Sequence, residues 1–255
     1  ILPLAMFKQQ LPNIRSDERL WDRLDPATVP CRIGYEVLIR LRDAKGNEVS
    51  PDSFIPTAER FFLMPAIDFW VIDRATAELA AVKQRFDRAC FSINLSGHTL
   101  CHPELLPRIR AAIDTHQLNP SSLTFEVTET AAICDMRAAQ RAINALKELG
   151  CQFSLDDFGT GFSSLSHLKQ LPVDFVKIDG MFIQSITHDP IDRAMVNSIT
   201  DIAHHLGCRT IAEYVDSTEI MQVLIECGVD FIQGNIIAAP LVDPVPPQQV
   251  TSLAG

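Results

Sequence analysis

Asp156 and Asp157 stand side by side in the stretch Phe153-Ser154-Leu155-Asp156-Asp157-Phe158-Gly159-Thr160-Gly161. Two adjacent carboxylates repel each other unless a cation lies between or above them. The glycines that follow allow a sharp bend that brings backbone close to a ligand. Alone, Asp before Gly is ordinary turn chemistry, and Ser163 or Ser164 could cap the next helix. The wider pattern favours chemistry. Glu36, Asn94, Glu126, Lys177 with Asp179, Glu213 and Gln233 also fall at or near the C-terminal ends of apolar, strand-like runs. One such polar residue would be a salt bridge or a cap; seven runs in succession that deliver oxygen ligands or a lysine are hard to explain structurally. The donors are hard oxygen, which selects Mg²⁺ or Mn²⁺ over zinc. The adjacent pair suggests one carboxylate bridging two ions while its neighbour serves the second. Two ions about 4 Å apart clamp the attacking and leaving oxygens of a phosphate in an in-line displacement. His98 and His167 near the loops, and His204-His205 on a helix, read as surface residues.

These side chains need a frame that brings them to one place. Tyr35–Leu41, Phe91–Leu95, Leu123–Thr128, Phe153–Asp156, Phe175–Asp179, Thr210–Glu213 and Phe231–Gln233 predict strands. Helical stretches near Pro103–His116, Met136–Leu149, Ser163–Lys169, Ile191–Leu206 and Thr218–Cys227 alternate with them. A first strand over Ala5–Leu11 ends at Pro12, and residues 13–33, with Pro26 and Pro30, read as a long exposed connection. Pro56 sits where a first helical turn would start, and Pro65 opens a longer helix to about Lys83. Strand alternating with helix predicts a parallel sheet with right-handed crossovers. Roughly eight strands in a chain of this length point to a closed α/β barrel, which typically needs about 250 residues. The C-terminal strand ends of such a barrel converge on one mouth.

At 255 residues, with 47% hydrophobic and 21% charged residues, the chain suits one globular domain with a large core. Its net charge of −10 argues against wrapping long nucleic acid. A small anionic ligand requires metal ions or local cations to receive it. The seven cysteines are odd in number, scattered and without a C-x-x-C pair, which suits reduced thiols in a cytosolic compartment. Cys90, Cys151 and Cys208 each begin a strand and read as core residues. No apolar run approaches a membrane span of about 18 residues, and Ile1-Leu2-Pro3 carries no signal-peptide pattern. So abrupt a start reads as a piece cut from something larger.

Glu36-Val37-Leu38-Ile39-Arg40, Asn94-Leu95-Ser96, Glu126-Val127-Thr128-Glu129, the Asp156-Asp157 loop, Lys177-Ile178-Asp179, Ile211-Ala212-Glu213 and Gln233-Gly234 together are highly specific. With them the chain resembles the EAL domain, a cyclic di-GMP phosphodiesterase module of bacterial signalling proteins, over nearly its full length. The resemblance implies a single EAL-type domain over residues 1–255, with the first strand and irregular connection in 1–33. Its fold would be α/β, a TIM-like (β/α)8 barrel variant whose first strand runs antiparallel to the rest. The implied enzyme is a cyclic-guanylate-specific phosphodiesterase that uses two Mg²⁺ or Mn²⁺ ions to hydrolyse cyclic di-GMP to linear pGpG.

By the same resemblance, Glu36, Asn94, Glu126 and Asp156 match the first metal's ligands, and Asp156 with Asp157 the second's. Glu213 matches a further acid at the metal centre. Lys177 matches the residue beside the attacking water, orienting it or aiding its deprotonation, with Gln233 at the same edge. Glu129 matches the acid that holds the loop after Asp157. Arg40, Leu38, Asp179 and Asn235 match substrate contacts, Arg40 through a phosphate. Also implied are a homodimer, sensor or GGDEF regulatory domains in the full-length protein, and a cytoplasmic domain in biofilm signalling that others could anchor to a membrane.

The chain departs from the family pattern in places. Val37 replaces the Ala of Glu-Ala-Leu, and Glu213-Tyr214-Val215-Asp216 replaces Glu-Gly-Val-Glu, putting a bulky ring at the rim. Asn235 stands where Tyr or Phe is usual, which removes an aromatic surface near the guanine pocket. Three readings stay open on these residues: a competent phosphodiesterase, a cyclic di-GMP receptor that signals through a partner, and a one-metal site for proton abstraction beside a carboxylate.

Overall fold

The computed structural model describes residues 4–11, 33–84, 87, 89–159 and 165–237. The expected connection over 13–32 and the loop residues 160–164 lie outside these. The strands are β1 (Leu4–Leu11), β2 (Ile33–Arg42), β3 (Glu48–Val49), β4 (Ala89–Asn94), β5 (Leu123–Thr128), β6 (Gln152–Phe158), β7 (Phe175–Ile178), β8 (Arg209–Ala212) and β9 (Phe231–Ile232). The helices are α1 (Pro51–Arg60), α2 (Met64–Lys83), α3 (Gly97–Leu100), α4 (Leu105–His116), α5 (Glu129–Cys134), α6 (Met136–Glu148), α7 (Leu165–Leu168), α8 (Gly180–Ile183), α9 (Pro190–His205) and α10 (Thr218–Glu226). The hydrogen-bonded path runs β1-β2-β4-β5-β6-β7-β8-β9, with the short β3 paired to β2. β1 is antiparallel to β2, and from β2 onward every step along the path is parallel.

The sheet is curled into a barrel, and the side chains prove it. Four steps of the path separate β2 from β7, which in a flat sheet is about 19 Å at the usual strand spacing. Yet Lys177 Nζ on β7 lies 3.4 Å from Glu36 Oε2 on β2. Gln233, just past β9, donates to the same Glu36 oxygen, so the far edge returns to the start.

Strand side chains alternate between the barrel interior and the helix layer. Facing the helices, Phe91, Phe125, Phe153 and Val176 pack with Ile72, Leu79, Ile109, Ile143 and Leu224 in one continuous apolar cluster. Strands buried on both faces account for the near-continuous apolar runs in the sequence. The interior has two storeys. Phe175, Ile211 and Phe231 form a small floor cluster, and two residues further along the same strands stand Lys177, Glu213 and Gln233. Arg209 closes the floor from below, its guanidinium 4.4 Å from the Phe175 ring centre and 5.4 Å from that of Phe231.

Two details differ from expectation. Pro56 does not open a helix; it lies inside α1, which starts at Pro51 after Ser50 with Asp52 in its first turn. Ser-Pro-Asp is itself a start signal, and this short, largely exposed helix tolerates the missing N–H of Pro56. Nor is His204 plain helix surface. Its Nε2 lies 2.8 Å from Asp230 Oδ2, which also accepts from Thr210 N at 2.8 Å, tying α9 to the start of β9. Cys90, Cys151, Cys208 and Cys227 are buried, Cys101 and Cys134 exposed, and all six are free thiols. No helix among the described residues is long and apolar enough to cross a membrane.

Candidate active site

Lys177 is the hub of the upper storey. It is 1% exposed, and its Nζ lies 2.8 Å from Glu213 Oε1, 2.9 Å from Glu126 Oε2, 3.2 Å from Asp156 and 3.4 Å from Glu36 Oε2. Burial disfavours its charge, but Asp156, Glu126, Glu213 and Glu36 outweigh burial and hold its pKa well above the ordinary lysine value. One ammonium cannot compensate four buried acids. Burial, with Glu36 and Asp156 nearby, pushes Glu126 up to about 7 against the pull of Lys177. Burial likewise leads for Glu213, raised to about 8. For Glu36, burial is overcome by Lys177 and by hydrogen bonds from Gln233 and Asn94, so its pKa falls.

The acids form two overlapping groups. Oxygens of Glu36, Glu126 and Asp156 lie within 4.8 Å of one another, and so do those of Asp156, Asp157 and Glu213. Asp156 belongs to both. In a regular strand, adjacent residues point to opposite faces. Here the β6–β7 register shifts between Leu155 and Phe158, and Asp157 takes φ +54°. That irregularity turns both carboxylates toward one centre. Asp157 N also donates to Asp156 Oδ1 at 2.9 Å.

A divalent metal fits this donor set. All the acids offer hard oxygen, the positive charge is short, and Glu126 Oε1 is buried with no hydrogen-bond partner among the described residues. Asn94, at the end of β4, donates Nδ2 to Glu36 Oε1 at 2.8 Å, which orients its amide beside the first group. Glu36 sits in mid-strand rather than at an end, because β2 runs on to Arg42 and pairs there with β3. Its register partner Ser92 lies only two residues before Asn94.

The remaining predicted residues are distributed as follows. Glu129 is buried at the first turn of α5, where Thr128 caps the helix by accepting from Ala131 N at 3.3 Å; most of the loop it was expected to hold, 160–164, lies outside the described residues. Arg40 and Leu38 line a largely apolar cleft of about 250 Å³ with Phe54, Ile55, Val71 and Asn94, and of the predicted metal ligands Asn94 alone borders it. Arg40 Nε pairs with Glu48 Oε1 at 3.1 Å. Asp179 caps α8, its Oδ1 accepting from Met181 N at 2.7 Å. Asn235 is exposed next to Gly234, whose position leaves no room for a Cβ: it would lie 2.0 Å from Val215 O.

Sequence reading missed Asp68. This buried acid on α2 accepts from Ser96 N at 2.9 Å, Ser96 Oγ at 2.7 Å and Thr99 Oγ1 at 2.6 Å. It fixes the turn that follows Asn94. Burial raises its pKa while the bonds from Thr99 and Ser96 oppose the rise. The signal was available: an acid within the otherwise apolar face made by Phe69, Val71 and Ile72. Asp68→Ala, which strands three donors, is expected to cost about 3 kcal/mol in denaturant unfolding. A cost below about 1 kcal/mol would show that the turn holds itself.

The EAL domain family model matches residues 30–240. Among curated relatives, the cyclic di-GMP phosphodiesterase PdeF of Escherichia coli (strain K12) is 36% identical over 206 residues, 81% of this chain and 28% of that protein. PdeB of Shewanella oneidensis, also named a cyclic di-GMP phosphodiesterase, is 39% identical over 205 residues, 80% of this chain and 24% of its own length. The chain thus spans about a quarter of these relatives. Among solved structures, the PaMucR phosphodiesterase in complex with c-di-GMP superposes with a TM-score of 0.82 at 30% identity, covering 97% of this chain and 94% of that one. The FimX EAL domain from Pseudomonas aeruginosa bound to c-di-GMP gives 0.83 at 28% identity, covering 94% and 91%. Barrel, antiparallel first strand, acid groups and family match agree: this chain belongs to the EAL domain family.

Proposed function

We propose that the chain hydrolyses one phosphodiester of cyclic di-GMP to linear pGpG with the help of two Mg²⁺ or Mn²⁺ ions. The observation that carries this reading is the pair of acid groups sharing Asp156. Glu36, Glu126, Asp156 and the Asn94 amide would hold one ion, and Asp156, Asp157 and Glu213 the other. Ions in those places supply a bound water of lowered pKa and offset negative charge on the phosphodiester oxygens. The names of PdeF and PdeB and the c-di-GMP bound to PaMucR support the substrate.

The chain's own residues then have definable tasks. Lys177 Nζ, within 3.4 Å of Glu36, Glu126, Asp156 and Glu213, would orient the attacking water or aid its deprotonation. Gln233 and Asn94, each donating to Glu36, fix the orientation of that carboxylate. Arg40 sits in the cleft with Leu38, where its guanidinium would exchange part of its pairing with Glu48 for a phosphate oxygen. The bifunctional name of the relative MucR supports a further catalytic or regulatory domain beside this one in a full-length protein.

Purified protein with Mg²⁺ or Mn²⁺ is expected to convert cyclic di-GMP to pGpG, and Glu36→Ala to abolish the conversion while the fold survives. Binding of cyclic di-GMP without turnover would replace the enzyme with a receptor. Turnover that persists in Glu36→Ala would place the chemistry elsewhere.

A further inference from the structure

Tyr214 stands out at the mouth. It follows Glu213 directly, is 63% exposed, and takes φ +54°. That left-handed conformation is strained for a bulky side chain and free for glycine. The ring is not loose. Its Cδ2 and Cγ fill the space over Gly180, where an added Cβ would come within 2.4 and 2.8 Å of them. Residue 180 therefore has to be glycine for the ring to lie there. The loop beneath is pinned to its neighbour: Val215 N donates to Gln233 O at 3.0 Å, and Ile236 N donates to Val215 O at 3.2 Å. A strained backbone thus holds a large aromatic surface in water, beside a charged site, where burial returns little. Strain retained at a site mouth points to use by a ligand.

The surroundings narrow what that ligand part can be. Burial first, and then the charges of Glu213, Asp179, Asp157 and Glu36, raise the pKa of the Tyr214 phenol, whose ring thus stands beside carboxylates. So many carboxylates repel a phosphate that no cation shields, but they tolerate a neutral base and can accept its N–H donors. Guanine offers such donors and a flat π-face. The neighbouring loop carries Asn235, which has no ring to offer.

We propose that Tyr214 is a specificity-determining contact whose ring stacks on one guanine base of the substrate. The inference rests on the cyclic di-GMP reading above. It gives a task to the residue that occupies a position better suited to glycine.

The test compares wild type with Tyr214→Phe, Tyr214→Ala and Tyr214→Gly in steady-state hydrolysis of cyclic di-GMP, or by calorimetric Kd where turnover is absent. Loss of one base–aromatic stack is worth about 5- to 150-fold. Tyr214→Ala and Tyr214→Gly are therefore expected to raise KM about tenfold or more while kcat moves less than about threefold. Tyr214→Phe, which keeps the ring, should stay within about twofold of wild type. Tyr214→Gly should melt no lower than wild type, since it removes the left-handed strain, so its weaker binding could not be laid to unfolding. An unchanged KM in both Ala and Gly variants overturns the stack. So does a Phe variant as impaired as Ala, which would assign the effect to the hydroxyl. A wild type that neither binds nor hydrolyses cyclic di-GMP overturns the functional reading itself, an outcome separate from either of these.

Discussion

Lys177→Met is expected to destabilise the metal-free protein by about 3–5 kcal/mol at pH 8, the cost of removing one partner from a buried charge cluster. Its ammonium lies within 3.4 Å of Glu36, Glu126, Asp156 and Glu213 and lowers the pKa of each. Without it, the raised values of Glu126, Asp156 and Glu213 climb further above the unfolded carboxylate range, and the lowered value of Glu36 rises too. Acids of raised pKa favour folding while they keep their protons, and that contribution is lost as pH climbs through the folded values. The penalty should therefore be smaller near pH 5.5 than at pH 8 and still growing there, since Glu126 stands at about 7 and Glu213 at about 8 in the wild type and both rise in the variant. Mn²⁺ should restore part of the loss by binding only the folded state. Denaturant unfolding at the two pH values, with and without Mn²⁺, checks this. A pH-independent loss, or one below about 1 kcal/mol at pH 8, would mean that Lys177 is not the counter-charge of the acids.

Asp156→Asn is expected to lower kcat/KM on the order of 10³-fold, about 4 kcal/mol of transition-state stabilisation. Asp156 is the residue common to both acid groups, so its loss would weaken both of the proposed ion sites. Asn is nearly isosteric, and the substitution removes an acid whose pKa is already raised, by burial first and by Glu36. The folded state should survive, with a melting temperature close to that of wild type. Kinetics within about tenfold of wild type would show that Asp156 is not shared. Asp68→Ala has the opposite profile: it weakens the fold by stranding the Ser96 and Thr99 donors and leaves every acid ligand in place.

The frame was legible because its cause is local. β5 runs over Leu123–Thr128, as its apolar run predicts, and the parallel order expected of alternating strands and helices is found from β2 onward; the antiparallel first strand, also found, was implied by the family resemblance and not by local pattern. Helix starts were less legible where two signals competed, as at Pro51 and Pro56. The types of the site residues could be read from the strand ends, but their arrangement depends on curvature and register. Nothing in Phe175-Val176-Lys177 says that the lysine points inward above Phe175, or that the barrel brings it against acids on β2, β5 and β6. Nor does Asp156-Asp157 announce the left-handed φ at Asp157 that lets neighbours face one centre. Asp68, Asp230 and His204 act between elements distant in sequence, so their partners could not be read from local pattern, although the apolar face around Asp68 marked its burial.

The central claim is that Asp156 joins two ion sites that together cleave a phosphodiester of cyclic di-GMP. Titrating metal-free protein with Mn²⁺ while following pGpG formation at each addition tests it directly. The account predicts product that rises with metal and saturates at two Mn²⁺ per chain. Saturation at one ion, or two ions bound with cyclic di-GMP left intact, would contradict it.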